Sequence, residues 1–190
     1  MRINTLYKIL IMSYSFSVFS EAVILPIYAV FVQGIGGDLL DASGAMAVFL
    51  ITQGLFTIVT HRLSWVHRYR IPAMLCGWAL WVFGIMMYLM VSSVATLFLT
   101  QIFIALGNAI ADPIFDEELA RHTDRKNEEF EWGFFEGSQS LIQGLAALVG
   151  GLVVSFFSFK ILIYVMVATA TISLGLILFY YSKIRKNAAL

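Results

Sequence analysis

Six long apolar runs, separated by short polar stretches, account for nearly all of the 190 residues. They cover residues 9–32, 43–60, 71–91, 94–115, 132–157 and 161–181. None alternates apolar with polar residues in short segments, as a membrane-spanning strand would. A hydrocarbon core about 30 Å thick needs roughly 20 apolar residues at 1.5 Å rise, so each run predicts a membrane-crossing helix. The second, at 18 residues, is short and is expected to extend at either end. The fold class is an all-α membrane protein with six transmembrane helices, read as a single domain over residues 1–190. Short connections make successive spans antiparallel neighbours. The N-terminal run is far longer than a signal-peptide core and has no evident small-residue cleavage site, so it is expected to remain as the first span.

The polar residues inside these runs carry the functional information. Glu21 is the single charge in the first span and falls near its midpoint. A carboxylate at that depth costs a few kcal/mol, and it persists when protonated, paired or wetted by a cavity. Every Lys and Arg lies at a span end or in a loop, which leaves protonation or a wet cavity. Ser13, Ser17, Glu21 and Tyr28 fall along one side of the helix, with Ser20 beside them. Pro26 is expected to kink this helix above Glu21. The fourth span repeats the design: Gln101, Ala105, Asn108 and Asp112 share a face, and Pro113 follows. Asp112 falls near the membrane interface, where an acid is cheap. In the fifth span Gly133, Gly137, Ser140, Gly144, Ala147 and Gly151 form a continuous ridge of small residues. Such a ridge admits a second helix backbone at close range, in this chain or another. The second span has a weaker version in Gly44, Ala47 and Gly54. The third and sixth spans carry no charge and are read as peripheral, lipid-facing helices. Trp78 and Trp81 are accordingly read as core or lipid contacts rather than as lining a site.

Composition narrows the classes further. A chain with 60% hydrophobic and 13% charged residues is not an ordinary soluble domain. Its net charge of zero provides no pull on nucleic acid. The lone Cys76 excludes an internal disulfide. No nucleophile, base and orienting group can be assembled from the motifs, so an enzyme is not expected. No cofactor or metal site is expected either. The acidic loop over residues 116–131 mixes both signs of charge and reads as a wetted surface that could form a short helix along the membrane. Glu136 is placed to pair with a basic residue nearby. Of the 12 Lys and Arg, all but Lys160 fall on the side that holds both termini. Loops on the cytoplasmic side collect Lys and Arg, so both termini are expected in the cytoplasm, in a prokaryotic cytoplasmic membrane.

An internal repeat is visible. Pro26-Ile27-Tyr28 corresponds to Pro113-Ile114-Phe115, and Gln53-Gly54-Leu55 to Gln143-Gly144-Leu145. These pairs fall in matching spans of two three-helix units, about 9–91 and 94–181, whose odd span number makes them inverted repeats.

On these features the chain resembles one six-helix half of a major facilitator superfamily transporter. The stretch from Gln101 to Ala109 is similar to the family's fourth-span motif, with Gln101 where arginine is usual. Gly144 to Gly151 is similar to the glycine-rich fifth-span motif of its antiporters, with Ala146-Ala147 in place of a Gly-Pro pair. The loop from His61 to Arg70 occupies the position of the family's basic signature loop, keeping Arg62, Arg68 and Arg70 but lacking the usual aspartate. The resemblance implies that the first and fourth spans line a cavity, the second and fifth meet another half, and the third and sixth lie outside. It also implies alternating access and a second six-span unit, most economically a second copy of this chain. The expected function is proton-coupled transport of a small organic solute, with Glu21 as the proton- or ion-responsive group. Ser17, Tyr28, Gln101, Asn108 and Asp112 would line the cavity, and efflux of lipophilic cations is the first substrate class considered. A non-transporting assembly subunit, one half of a heteromeric transporter, and a channel are the alternatives.

Overall fold

The computed structural model of the chain describes residues 5–60, 62, 68–124 and 127–188. His61 and residues 63–67 of the basic loop, and Arg125 and Lys126 of the acidic loop, lie outside the described residues. The described residues contain six helices long and apolar enough to cross a membrane. The first is broken where the proline demands it. It runs as Thr5–Ala22, a 3₁₀ turn Leu25–Ile27 containing Pro26, and Tyr28–Gly34. Proline has no N–H to donate and its ring crowds the carbonyl four residues back, so the α-ladder stops one residue past Glu21.

The second span is Leu39–Thr60. It begins before the apolar run because Asp38 and Asp41 exchange side-chain-to-backbone hydrogen bonds of 2.9 Å at its N-terminus. Gly36, with φ of 85°, makes the turn that leads into it. The third is Arg70–Met87, continued by the 3₁₀ turn Tyr88–Met90. Ser93 and Thr96 form a reciprocal cap on the fourth, Val94–His122. The fifth is Glu128–Phe156 and the sixth Phe159–Ala188. The acidic loop is therefore shorter than its polarity suggested. The fourth helix runs on to His122, and the fifth starts at Glu128 with three acids in its first turn. Those acids complement the helix dipole, so charge there caps a helix rather than ending one.

The third span is not peripheral. Half of its apolar window is buried within the chain (50%), against 11% for the second span and 17% for the fifth. The sixth, at 33% buried, also packs inward more than those two. Small residues let the third and fourth spans touch backbone to backbone. A Cβ on Gly77 would meet Ala111 N at 2.8 Å, and one on Gly84 would meet Ile104 N at 2.8 Å. The first and sixth spans are joined by polar contacts. Ser13 Oγ donates to Ser173 O at 2.9 Å, and Ser173 Oγ donates back to Ser13 O at 2.8 Å. Ser20 Oγ donates to Met166 O at 2.9 Å. Ser13 and Ser20 thus leave the polar stripe predicted for a cavity and serve as helix-to-helix contacts instead.

Among the described residues the glycines of the fifth span's small-residue ridge have no close partner. A Cβ on Gly133, Gly137, Gly144 or Gly151 would find nothing within 4 Å. Ser140 is exposed, and its hydroxyl bonds its own helix at Glu136 O. Ala147 is half-buried. The close approach on this span is made off the ridge by Gly150, whose Cβ would overlap the Val23 carbonyl. The fifth span therefore touches the first at the break next to Pro26.

Candidate functional site

Glu21 ends the regular part of the first span, one residue before the helix breaks. Its Oε1 accepts from Trp81 Nε1 at 2.5 Å and from Asn108 Nδ2 at 3.1 Å. Three spans thus meet on one carboxylate oxygen. Among the described residues Oε2 receives no hydrogen bond, and it is not one of the sealed orphan atoms.

Two cavities meet at Glu21. One, of about 50 Å³, is lined by Tyr14, Ser17, Glu21, Trp78, Trp81, Asn108 and Asp112, among others. The other, of about 60 Å³, is more apolar, with Ile24, Tyr28, Met46, Phe49, Tyr88 and Gln101 in its wall. A water occupies roughly 10–15 Å³ on this kind of measure, so each chamber has room for a few. Glu21 therefore borders space that can hold water, and a wet cavity is one of the conditions under which an acid at this depth is tolerated.

The predicted polar face of the fourth span is present. Asn108 reaches Glu21, and Asp112 Oδ2 accepts from Gln53 Nε2 of the second span at 3.2 Å. Asp112 is thus a cavity residue in contact with a neighbouring span. Gln101 is buried and donates to the Tyr28 hydroxyl at 2.7 Å and the Tyr88 hydroxyl at 3.2 Å. Ser17 lines the cavity but donates to its own helix at Tyr14 O, 2.8 Å away.

Trp78 and Trp81 are buried in the core, as read from the sequence, and they also form part of the cavity wall. Trp78 Nε1 donates to Ser173 Oγ at 2.9 Å, tying the third span to the junction of the first and sixth. Gln53, Tyr88 and Tyr14 also belong to the site and were not singled out from the sequence. A signal for the tryptophans existed, because a buried indole N–H needs an acceptor and polar acceptors are scarce in these spans.

The basic loop does not act as a unit. Arg62 and Arg68 are exposed, whereas Arg70 opens the third helix and turns into the bundle. Its Nη1 lies 2.9 Å from Glu117 Oε1 and its Nη2 lies 2.8 Å from Glu118 Oε1. The second contact is an ion pair without an aligned hydrogen bond. Arg121 adds contacts of 2.6 Å to Glu117 and 3.7 Å to Glu118. Tyr180 of the sixth span donates to Glu118 Oε2 at 2.8 Å, and His122 Nε2 lies 2.8 Å from the same hydroxyl. This cluster joins the third, fourth and sixth spans at the end of the bundle away from the Ser93 cap. Glu136 is exposed and joins none of the ion pairs among the described residues.

Glu118 is only 3% exposed. Arg70→Met would leave it without its close cation, and stranding a buried charge costs about 3–5 kcal/mol. A loss of that order in thermal unfolding of the purified protein in detergent is expected. Glu118→Gln added to Arg70→Met is expected to recover part of it. An unchanged midpoint in the single variant would show that the pair contributes nothing.

A bundle of six helices long and apolar enough to cross a membrane, with a cavity-lining acid where the first, third and fourth meet, is a multi-pass integral membrane protein. The sequence profile of the Major Facilitator Superfamily matches residues 10–189, and the chain belongs to that superfamily of secondary transporters. Members of this family are transporters rather than enzymes. No curated protein matches the chain.

Proposed function

We propose that this chain moves a small organic solute by alternating access, exchanging it for protons at Glu21. The observation that carries the reading is the position of that carboxylate. It lies at the junction of two small cavities, with one oxygen held by Trp81 and Asn108 from other spans and the other oxygen open. A carboxylate shared by two cavities can respond to a proton and a solute in turn. The two three-span units act as inverted repeats in this reading. The termini face the cytoplasm of a prokaryotic cell, and efflux of lipophilic cations is the substrate class first tested.

A second six-span unit encloses the path. The fifth span supports a second copy of this chain as that unit, because its ridge of Gly137, Ser140, Gly144, Ala147 and Gly151 is left uncovered while the third and sixth spans pack inward. The two copies would be related by an axis normal to the membrane. Gly144→Leu is expected to leave the six-helix unit folded, since nothing among the described residues lies within 4 Å of the added Cβ. It is expected to convert a dimer to a monomer by light scattering of the purified protein. A dimer that persists would place the interface elsewhere.

Transport itself is tested by reconstituting the purified chain in liposomes with an imposed pH gradient. A lipophilic cation should accumulate in response to the gradient, and a protonophore should abolish the response. Flux no greater than in empty vesicles would remove the transport reading.

A further inference from the structure

The polar chamber has more acceptors than donors. Trp81 gives its one N–H and Asn108 one of its two to Glu21 Oε1, and the Ser17 hydroxyl is turned to Tyr14 O. Three oxygens remain open in the same wall: Glu21 Oε2, Asn108 Oδ1 and Asp112 Oδ1. None receives a hydrogen bond among the described residues, and none is one of the sealed orphan atoms. Asn108 and Asp112 stand one turn apart on the fourth helix, about 5.4 Å along its axis. Asn108 in turn touches Glu21, so the three side chains adjoin one another along the wall of one chamber. No Lys, Arg or His is among the residues lining the chamber. The nearest arginine by sequence on these spans, Arg70, is engaged by Glu117 and Glu118.

We infer that the chamber is a site for a primary ammonium group, which brings three N–H donors and a positive charge to these three oxygens. The inference rests on the transporter reading of the same cavities and specifies its substrate class. A quaternary ammonium brings the charge but no donor, and a neutral solute brings neither. At about 50 Å³ the chamber accepts the head group and adjoining carbon. The second chamber meets it at Glu21, and its Met46, Phe49 and Ile24 walls suit an apolar tail. The solute is thus an amphipathic primary amine. The two tryptophans in the polar chamber add ring faces that favour a cation.

The test compares hexylammonium with N,N,N-trimethylhexylammonium, which share tail and charge while methyl groups replace the three N–H donors, so the Asp112 variants below separate hydrogen bonding from head-group size. Binding to the purified full chain in detergent is followed by calorimetry, with empty micelles as the control. A hydrogen bond to a charged group contributes about 1.5–3 kcal/mol, so hexylammonium is expected to bind at least about tenfold more tightly. Asp112→Leu is expected to lower that ratio towards one, and Asp112→Asn, which keeps an acceptor oxygen, to lower it less. Equal affinities, tighter binding of the trimethyl compound, an unchanged ratio in Asp112→Leu, or no binding of either cation would each overturn the inference. The wild-type ratio decides even where a variant does not fold. Flux of the two cations into proteoliposomes separates this inference from the transport reading. Equal flux of both sinks the ammonium preference alone. Preferential binding without flux sinks transport alone.

Discussion

Glu21→Gln is expected to abolish pH-driven transport in proteoliposomes while leaving the protein folded. Glutamine has nearly the shape of the acid, and its amide oxygen can still accept from Trp81 Nε1 and Asn108 Nδ2, which now share Glu21 Oε1. The three-span junction therefore keeps its hydrogen bonds, and the unfolding midpoint should move little. What the amide lacks is a proton to exchange. Gradient-driven accumulation should fall by at least about tenfold, towards empty vesicles, equivalent to about 1.4 kcal/mol or more of coupling. Solute binding should weaken as well, because the open Oε2 becomes an amide nitrogen that donates where an acceptor is needed. Coupled transport undiminished in this variant would take Glu21 out of the mechanism, whatever else the cavity does.

Gly107→Ala is expected to produce a large loss of stability for one added carbon. The new methyl carbon would lie 2.5 Å from Trp81 N and 2.7 Å from Trp81 Cα. Both are backbone atoms on the facing helix, so no side chain can swing aside and the spans must separate. Overpacking of this kind costs about 1–3 kcal/mol and sometimes more, against a total stability of roughly 5–15 kcal/mol. Moving Trp81 also moves the indole that holds Glu21, so transport should weaken together with the unfolding midpoint. Gly175→Ala is the matched control. Nothing lies within 4 Å of its added Cβ, and alanine is favoured over glycine in a helix by about 1 kcal/mol. The same chemical change should thus stabilise at one glycine and destabilise at the other. Equal midpoints would show that the third and fourth spans are not in the close contact described.

The contrast between these glycines marks how far the sequence could be read. The fifth-span ridge stood out because its spacing is regular, yet its glycines meet nothing close among the described residues. Gly77, Gly84 and Gly107, which bring two backbones together, follow no long run and passed unnoticed. Spacing along one helix shows which residues share a face, and it correctly gathered Gln101, Asn108 and Asp112. It carries no information about which helix that face meets. Arg70 illustrates the same limit. By position it belonged to a basic loop, but it opens a helix and reaches across to Glu117 and Glu118.

Hydropathy established the six helices and proline chemistry the break at Pro26, because each follows from local transfer energies or backbone chemistry. Which apolar helices lie inside was decided by the tertiary structure. Lipid tails and a protein interior are alike in solvating an uncharged side chain, so the third span reads the same whether it faces one or the other. Only close packing of shapes distinguishes them. That packing brings Trp81 onto Glu21 and turns two wall residues into part of the site.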